Sequence, residues 1–261
     1  MPTERPFPVP TDPIFYLTVL IAVPFLGLAR GGFPGGGMSA RPLLWRVIPP
    51  FQAIAIVLPI LIVQDIISIW VYWRDWDKWN VKVLAAGAVI GIAAGWGLSA
   101  VISDAQVKLV IGVIAAVFVL SHWFLPKPKK EPGKPKALLG VFWGGVSAFT
   151  STLSHAGGPP FAIYVLPQRM SKMRFVGTST IFFALVNVMK LVPFFALGMY
   201  SFDNIKTSLV LIPLAIATNF LGIWLVRITP TELFYRIAYI LIFLIGAALI
   251  ESGVRELLFS A

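Results

Sequence analysis

The sequence predicts an all-α membrane protein of about eight transmembrane helices in two repeats, each half carrying a glycine-rich broken or re-entrant segment. Three observations lead there: composition, recurring apolar runs, and a pair of similar glycine breaks. Hydrophobic residues make up 58% of the 261 positions and charged ones 12%, with a mean hydropathy of +0.86. Soluble domains sit at about 45–50% apolar. Runs long enough to cross a hydrocarbon core of about 30 Å at 1.5 Å per residue recur from end to end, leaving no room for a soluble domain. The opening "MPTERPFPVPTDP" lacks the basic start, apolar core and cleavage site of a secretory signal, and reads as a short solvated or interfacial lead-in. Cysteine is absent, which excludes disulfides, thiol catalysis and thiolate metal sites.

The apolar spans fall at 13–29, 51–73, 81–102, 107–125, 137–153, 175–199, 205–226 and 234–250. Between the fourth and fifth lies "PKPKKEPGKPK", an extended Pro/Lys linker. The chain therefore divides into a first transmembrane repeat, 1–125, the linker, 126–136, and a second repeat, 137–261. Each half opens with an apolar span and reaches a break, "GGFPGGG" (31–37) or "SHAGGPP" (154–160). A short apolar piece follows, "PLLWRVIPP" (42–50) or "FAIYVLPQ" (161–168), and then three full spans. Later joints also correspond: "YWRDWDKWNVK" with "MYSFDNIK", and "SDAQVKLVIG" with "TPTELFYRIA". Repeated halves with broken apolar segments are the signature of secondary transporters, whose sites lie near the bilayer midplane at the breaks. The other glycine-rich run, "AAGAVIGIAAGWG" (85–97), reads as a helix-packing face.

Loop charge decides how the halves face, because Lys and Arg concentrate on the cytoplasmic side. If each break is the tip of a re-entrant hairpin, the halves are inverted. One side then holds Arg74, Lys78, Lys82, five linker lysines, Arg169, Lys172, Arg174, Arg227 and Arg236, thirteen cations. The other holds Arg5, Arg46, Lys108, Lys206 and Arg255. If each break merely interrupts a crossing helix, the halves are parallel and the asymmetry falls to eleven against seven. The inverted arrangement is favoured, with the linker cytoplasmic and both termini on the non-cytoplasmic side. The same charge distribution accounts for the net +10 without nucleic acid, since the cations are scattered between spans rather than lined along one face.

Non-helical backbone at membrane depth is tolerable only where protein or a wet cavity receives it. Glycines allow close backbone approach, and a helix beginning after the break presents free N–H groups and the positive end of its dipole. Gly35, Gly36 and Gly37 of the first break and Gly157 and Gly158 of the second are therefore candidate anion contacts. The ionisable residues in or beside the spans are Arg30, Arg41, Asp65, His155 and Lys190, and such charges are costly enough to suggest function. Cations dominate, so a shared pocket suits an anion. Arg41 offers a planar fork for oxyanions and Lys190 a point charge. Arg30 either lines the pocket, reaches the interface, or pairs with Asp65. Asp65 is either a proton-coupling carboxylate or the partner of an arginine. His155 is a candidate anion contact and proton carrier, with a structural role as the alternative. Gln64 and Asn187 are candidate polar contacts on the helices after the breaks. Ser151, Thr152, Ser154, Thr178 and Ser179 either donate to a ligand or bond back to their own helices.

The repeated glycine break with its short Pro-containing apolar piece, the basic linker, and "VGTSTIFFALVNVMKLVPFFALGMY" (176–200), with its Gly-Thr-Ser and Asn-x-x-Lys elements, resemble the TauE/SafE family of sulfite exporters and sulfonate permeases. The resemblance implies a multi-pass inner-membrane carrier for sulfite, thiosulfate or organosulfonates, driven by an ion gradient or the membrane potential. In the first half, "IVQDIIS" departs from the family pattern by placing a Gln-Asp pair where small neutral residues are expected. A carrier or channel for other small anions, such as carboxylates, shares every pocket feature. An enzyme has little to work with: there is no HExxH, no catalytic carboxylate pair, and two histidines in all. A scaffold would explain the spans but not the cationic breaks. The expected partners are a small anion, the lipid bilayer and protons as candidate coupling ion, with no cofactor and with either a monomer or an oligomer compatible.

Overall fold

A computed structural model describes residues 13–32, 50–98, 102–124, 135–153, 156–196 and 202–259. Among these residues the secondary structure is helical, with no strand. The helices are α1 (Pro13–Gly31), α2 (Pro50–Tyr72), α3 (Lys78–Leu98), α4 (Asp104–Phe124), α5 (Ala137–Leu153), α6 (Gly158–Val165), α7 (Lys172–Ala196), α8 (Phe202–Ile228) and α9 (Thr231–Phe259), with a 3₁₀ turn at Leu166–Gln168. Each of the eight apolar spans anticipated from the sequence overlaps one of them, and the piece 42–49 lies outside the described residues. Among the described residues, five helices are long and apolar enough to cross a membrane, and Leu20–Gly31, Ile56–Tyr72 and Ala137–Leu153 are shorter apolar stretches.

The chain forms two compact units, 1–71 with 187–228 and 72–186 with 229–261. Each draws on residues before and after the 126–136 linker. In the first unit, Ala22, Val23 and Leu26 of α1, Ile56, Val57, Ile60 and Leu61 of α2, and Leu211 and Ala215 of α8 make one apolar core. Glycines bring α1 against α8: a Cβ at Gly27 would run into Thr218, and one at Gly31 into the backbone of Gly222.

The second unit uses the same close approach of helices at glycines. On α3, Gly87 lies against the backbone of Val141 and Gly145, Gly91 against the carbonyl of Gly145, and Gly95 against Thr152. The 85–97 run is thus a packing seam on α5. The large neighbours Val89 and Ile90 point outward and are 57% and 65% exposed, which suits lipid rather than water. The pair α4 and α9 repeats the pattern at Gly112 and Gly246, and again where Gly253 meets Ala105 and Leu109. Because a side chain at such a seam must push two backbones apart, Gly91→Val is expected to lower stability by about 1–3 kcal/mol. Equilibrium unfolding in detergent micelles measures this, and an unchanged midpoint would refute the tight seam.

The short helix α6 doubles back along α5. Gly157, before its first turn, sits against Ser147 and Ser151. Tyr164, at its other end, lies beside Gly140 and reaches the carbonyl oxygen of Lys136 at 3.4 Å. Pro159 and Pro160 fit its first turn, where backbone donors have no helical partner in any case. The helix tightens into the 3₁₀ turn and stops at Arg169, which takes a left-handed φ of 49°.

One end of this unit gathers the basic joints. Asp77 caps α3, accepting from the Asn80 N–H at 2.8 Å, and takes Arg174 Nη2 at 2.7 Å. The Asp77 N–H donates to Thr178 Oγ1 at 2.9 Å, and Asn80 and Gln168 exchange amide hydrogen bonds. Lys172 donates to the Thr229 carbonyl and Tyr235 to that of Met170. Lys108 pairs with Glu256 at the opposite end of α4 and α9. Joints 72–82 and 169–174 therefore lie together rather than at opposite ends.

Candidate functional site

In the first unit the last turn of α1, the middle of α2, the part of α7 from Asn187 onward, and α8 bring polar side chains into an apolar interior. Arg30 Nη1 stands 2.9 Å from Asp65 Oδ1. Asn187 Nδ2 donates to Asp65 Oδ2 at 2.6 Å. Asp65 and Asn187 are 4% and 1% exposed, and Lys190, one turn further along α7, is fully buried. Lys190 is near enough for its charge to act on the Asp65 carboxylate. Arg30 keeps 18% of its side chain exposed. Of the open alternatives for Arg30 and Asp65, mutual pairing is what the fold adopts.

Neutral amides and a hydroxyl frame the pair. Gln64 Nε2 donates to the Ala215 carbonyl at 3.1 Å, and Asn219 Nδ2 donates to the Gln64 carbonyl at 3.1 Å. The Ser68 hydroxyl is shared between the Arg30 carbonyl, at 3.0 Å, and Asn219 Oδ1, at 3.2 Å. It thus satisfies a carbonyl that the end of α1 would otherwise leave orphaned. Gln64 Oε1 and Asp65 Oδ1 are buried without a hydrogen bond. Oδ1 faces Arg30 at ion-pair distance but outside hydrogen-bond alignment. Ser68 and Asn219 were not singled out in the sequence, although Asn219 carried the same signal as Asn187, an amide inside an apolar run.

Among the described residues, the ionisable groups in this cluster are Arg30, Lys190 and Asp65, two cations against one carboxylate. The excess positive charge in a desolvated setting favours an anion.

Gly157 and Gly158 lie in the second unit. Ser147 Oγ donates to the Gly157 carbonyl at 2.7 Å, and the Ala156 N–H to that of Thr150 at 3.1 Å. A Cβ on Gly157 would come within 2.6 Å of the Ser147 carbonyl, whereas one on Gly158 would meet nothing within 4 Å. Gly158 therefore faces open space. With Pro159 and Pro160 lacking N–H groups, the start of α6 can offer a ligand the donors of Gly157 and Gly158 and the helix dipole. Gly157→Ala is expected to destabilise by about 1–3 kcal/mol, while Gly158→Ala leaves unfolding unchanged, as thermal melts in detergent will show. Thr152 and Thr178 bond back to the carbonyls of Ala148 and Arg174, the intrahelical alternative for these hydroxyls. Arg41, His155, Ser154, Gly35, Gly36 and Gly37 lie outside the described residues.

Helices with outward-facing apolar side chains, seamed by glycine and enclosing buried charge, define a multi-pass membrane protein. Comparison with protein families gives the particular kind: the model for sulfite exporter TauE/SafE matches residues 19–249, and the chain belongs to that family of membrane transporters. Comparison with curated proteins and with solved structures yields no significant match.

Proposed function

We propose that the protein is a secondary carrier of small sulfur-containing anions, such as sulfite, thiosulfate or organosulfonates, across the cytoplasmic membrane. Eight spans in two inverted halves rock by alternating access around a cationic site, with no enzymatic step. The observation that carries the reading is the buried cluster of Arg30, Asp65, Asn187 and Lys190, with its excess positive charge. Family membership narrows the anion to sulfur chemistry. Gly157, Gly158 and Gln64 are proposed as further polar contacts, and Arg41, His155 and Gly35–Gly37 are proposed on sequence grounds.

The inverted arrangement draws support from the doubling back of α6 along α5 and from the hydrogen-bonded joints at 72–82 and 169–174. It puts the linker and these joints in the cytoplasm and the termini outside. Because the chain has no cysteine, single cysteines at Lys78, Ser171 and Lys206 can be placed cleanly. Impermeant maleimide applied to sealed cells is expected to label position 206 and spare 78 and 171; labelling of 78 and 171 from opposite sides would refute inversion.

The test of function is uptake of labelled sulfite into proteoliposomes, with unlabelled thiosulfate, sulfonates and carboxylates as competitors. Saturable uptake inhibited by sulfur anions is expected. Folded protein with no uptake, or with inhibition by carboxylates alone, would refute the sulfur-anion reading.

A further inference from the structure

The three helices that make the core of the first unit run in the same direction. Gly27 and Gly31 of α1 meet Thr218 and Gly222 of α8 in that order. Ser208 Oγ donates to the Ile56 carbonyl at 2.8 Å, and further along both helices Asn219 Nδ2 donates to that of Gln64. Positions thus advance together on α1, α2 and α8. Each of these helices carries an internal proline, Pro24, Pro59 and Pro213 respectively. The prolines lie at one level, because their neighbours Val23 and Leu26, Ile60 and Leu61, and Leu211 and Ala215 pack in one core. In the second unit, α3, α4, α5 and α9 have no internal proline.

A proline inside a helix removes one N–H from the ladder, and its ring pushes on the carbonyl four residues earlier. The carbonyls of Leu20, Ala55 and Leu209 therefore lack their usual helical donor. Leu20 and Leu209 are 54% and 59% exposed, so the weakened side of α1 and α8 is the outer one. Helices bend at such places. What lies beyond the prolines is regular: six residues after each comes a member of the polar cluster, Arg30, Asp65 or Asn219. Six residues are about 9 Å of helix. Asn187 and Lys190 stand on α7, which has no proline between Lys172 and Val192. The Ser68 hydroxyl joins the Arg30 carbonyl to Asn219, tying α1, α2 and α8 together beyond the prolines.

We propose that Pro24, Pro59 and Pro213 form a single hinge level, at which α1, α2 and α8 bend together and carry Arg30, Asp65 and Asn219 relative to Asn187 and Lys190. The hydrogen bond from Asn187 to Asp65 marks the closed position. Bending away from α7 parts that contact and opens the cluster to an anion. The three helices move as one piece because Ser68 links them. This inference rests on the carrier reading and assigns its opening step to the first unit.

The experiment compares wild type with two triple variants, in which all three prolines are replaced by alanine or all three by glycine. Alanine restores the missing N–H and stiffens the helix, whereas glycine restores it and still lets the helix bend. The probe is labelled sulfite, with binding to purified protein read by isotope retention and uptake read in proteoliposomes. The alanine variant is expected to bind as wild type does and to take up sulfite about tenfold more slowly, since each bend must now break a helical hydrogen bond. The glycine variant should keep most of the wild-type rate. In wild type, the amides of 20–26, 56–63 and 209–217 should exchange with deuterium about tenfold faster than those of 83–92 on α3. A wild-type rate in the alanine variant overturns the hinge, as does equal slowing in both variants or loss of binding in the alanine variant. Exchange no faster at the prolines than at 83–92 overturns the bend, even if the variants fail to fold. Folded wild-type protein that exchanges as expected but neither binds nor takes up sulfite overturns the carrier reading and leaves the bend standing.

Discussion

Replacing Lys190 by methionine is expected to lower sulfite transport about 100-fold while leaving the protein folded, a loss of ~2.7 kcal/mol in the interaction with the anion. Lys190 is fully buried on α7. Methionine fills nearly the same volume without the charge, which keeps the packing of the buried site. Removing Lys190 takes from the buried site a cation that an anion would meet. A desolvated, charge-assisted contact is worth enough to account for the loss. Uptake in proteoliposomes, normalised to folded protein, gives the answer, and wild-type rates for Lys190→Met would remove Lys190 from the site.

The second large effect falls on stability. Asp65→Ala leaves Arg30 without its carboxylate and Asn187 without its acceptor. Breaking a buried pair by removing one partner costs about 3–5 kcal/mol. The double variant Arg30→Gln, Asp65→Asn is expected to recover much of that loss, because the uncompensated charge is gone. A thermal double-mutant cycle in detergent, using Arg30→Gln and Asp65→Asn as the single changes, reads the coupling directly. Effects that add to within about 0.5 kcal/mol would show that the pair is not coupled.

Much of this was legible in the sequence for particular physical reasons. Apolar runs long enough for the bilayer identify their own helices, and each contains or overlaps the expected span. The short apolar piece after "SHAGGPP" was read as starting at Phe161, whereas α6 starts at Gly158 and takes the two prolines into its first turn. The 85–97 glycines could be read as a packing face because small residues are what membrane helices need for close approach. Their partner, α5, could not be named, since nothing in a glycine says what lies against it. For the same reason the Arg30–Asp65 pair remained one alternative among several. Charge states what a residue needs, and only the fold supplies it. Ser68 and Asn219 were missed because a hydroxyl or amide inside a span is so often satisfied by its own helix. Here they bridge α1, α2 and α8 across 151 and 155 positions of sequence.

That separation has a consequence for biogenesis. The glycine face of α1 leaves the ribosome well before Thr218 and Gly222, which it packs against on α8. Contacts so distant along the chain close slowly, and unpaired segments are open to misassembly while they wait. During synthesis α1 must therefore be kept in the membrane, by lipid or by the insertion machinery, until α8 arrives. A nascent chain halted before α8 would carry an unfinished first unit, vulnerable to membrane proteases, even with every earlier helix inserted.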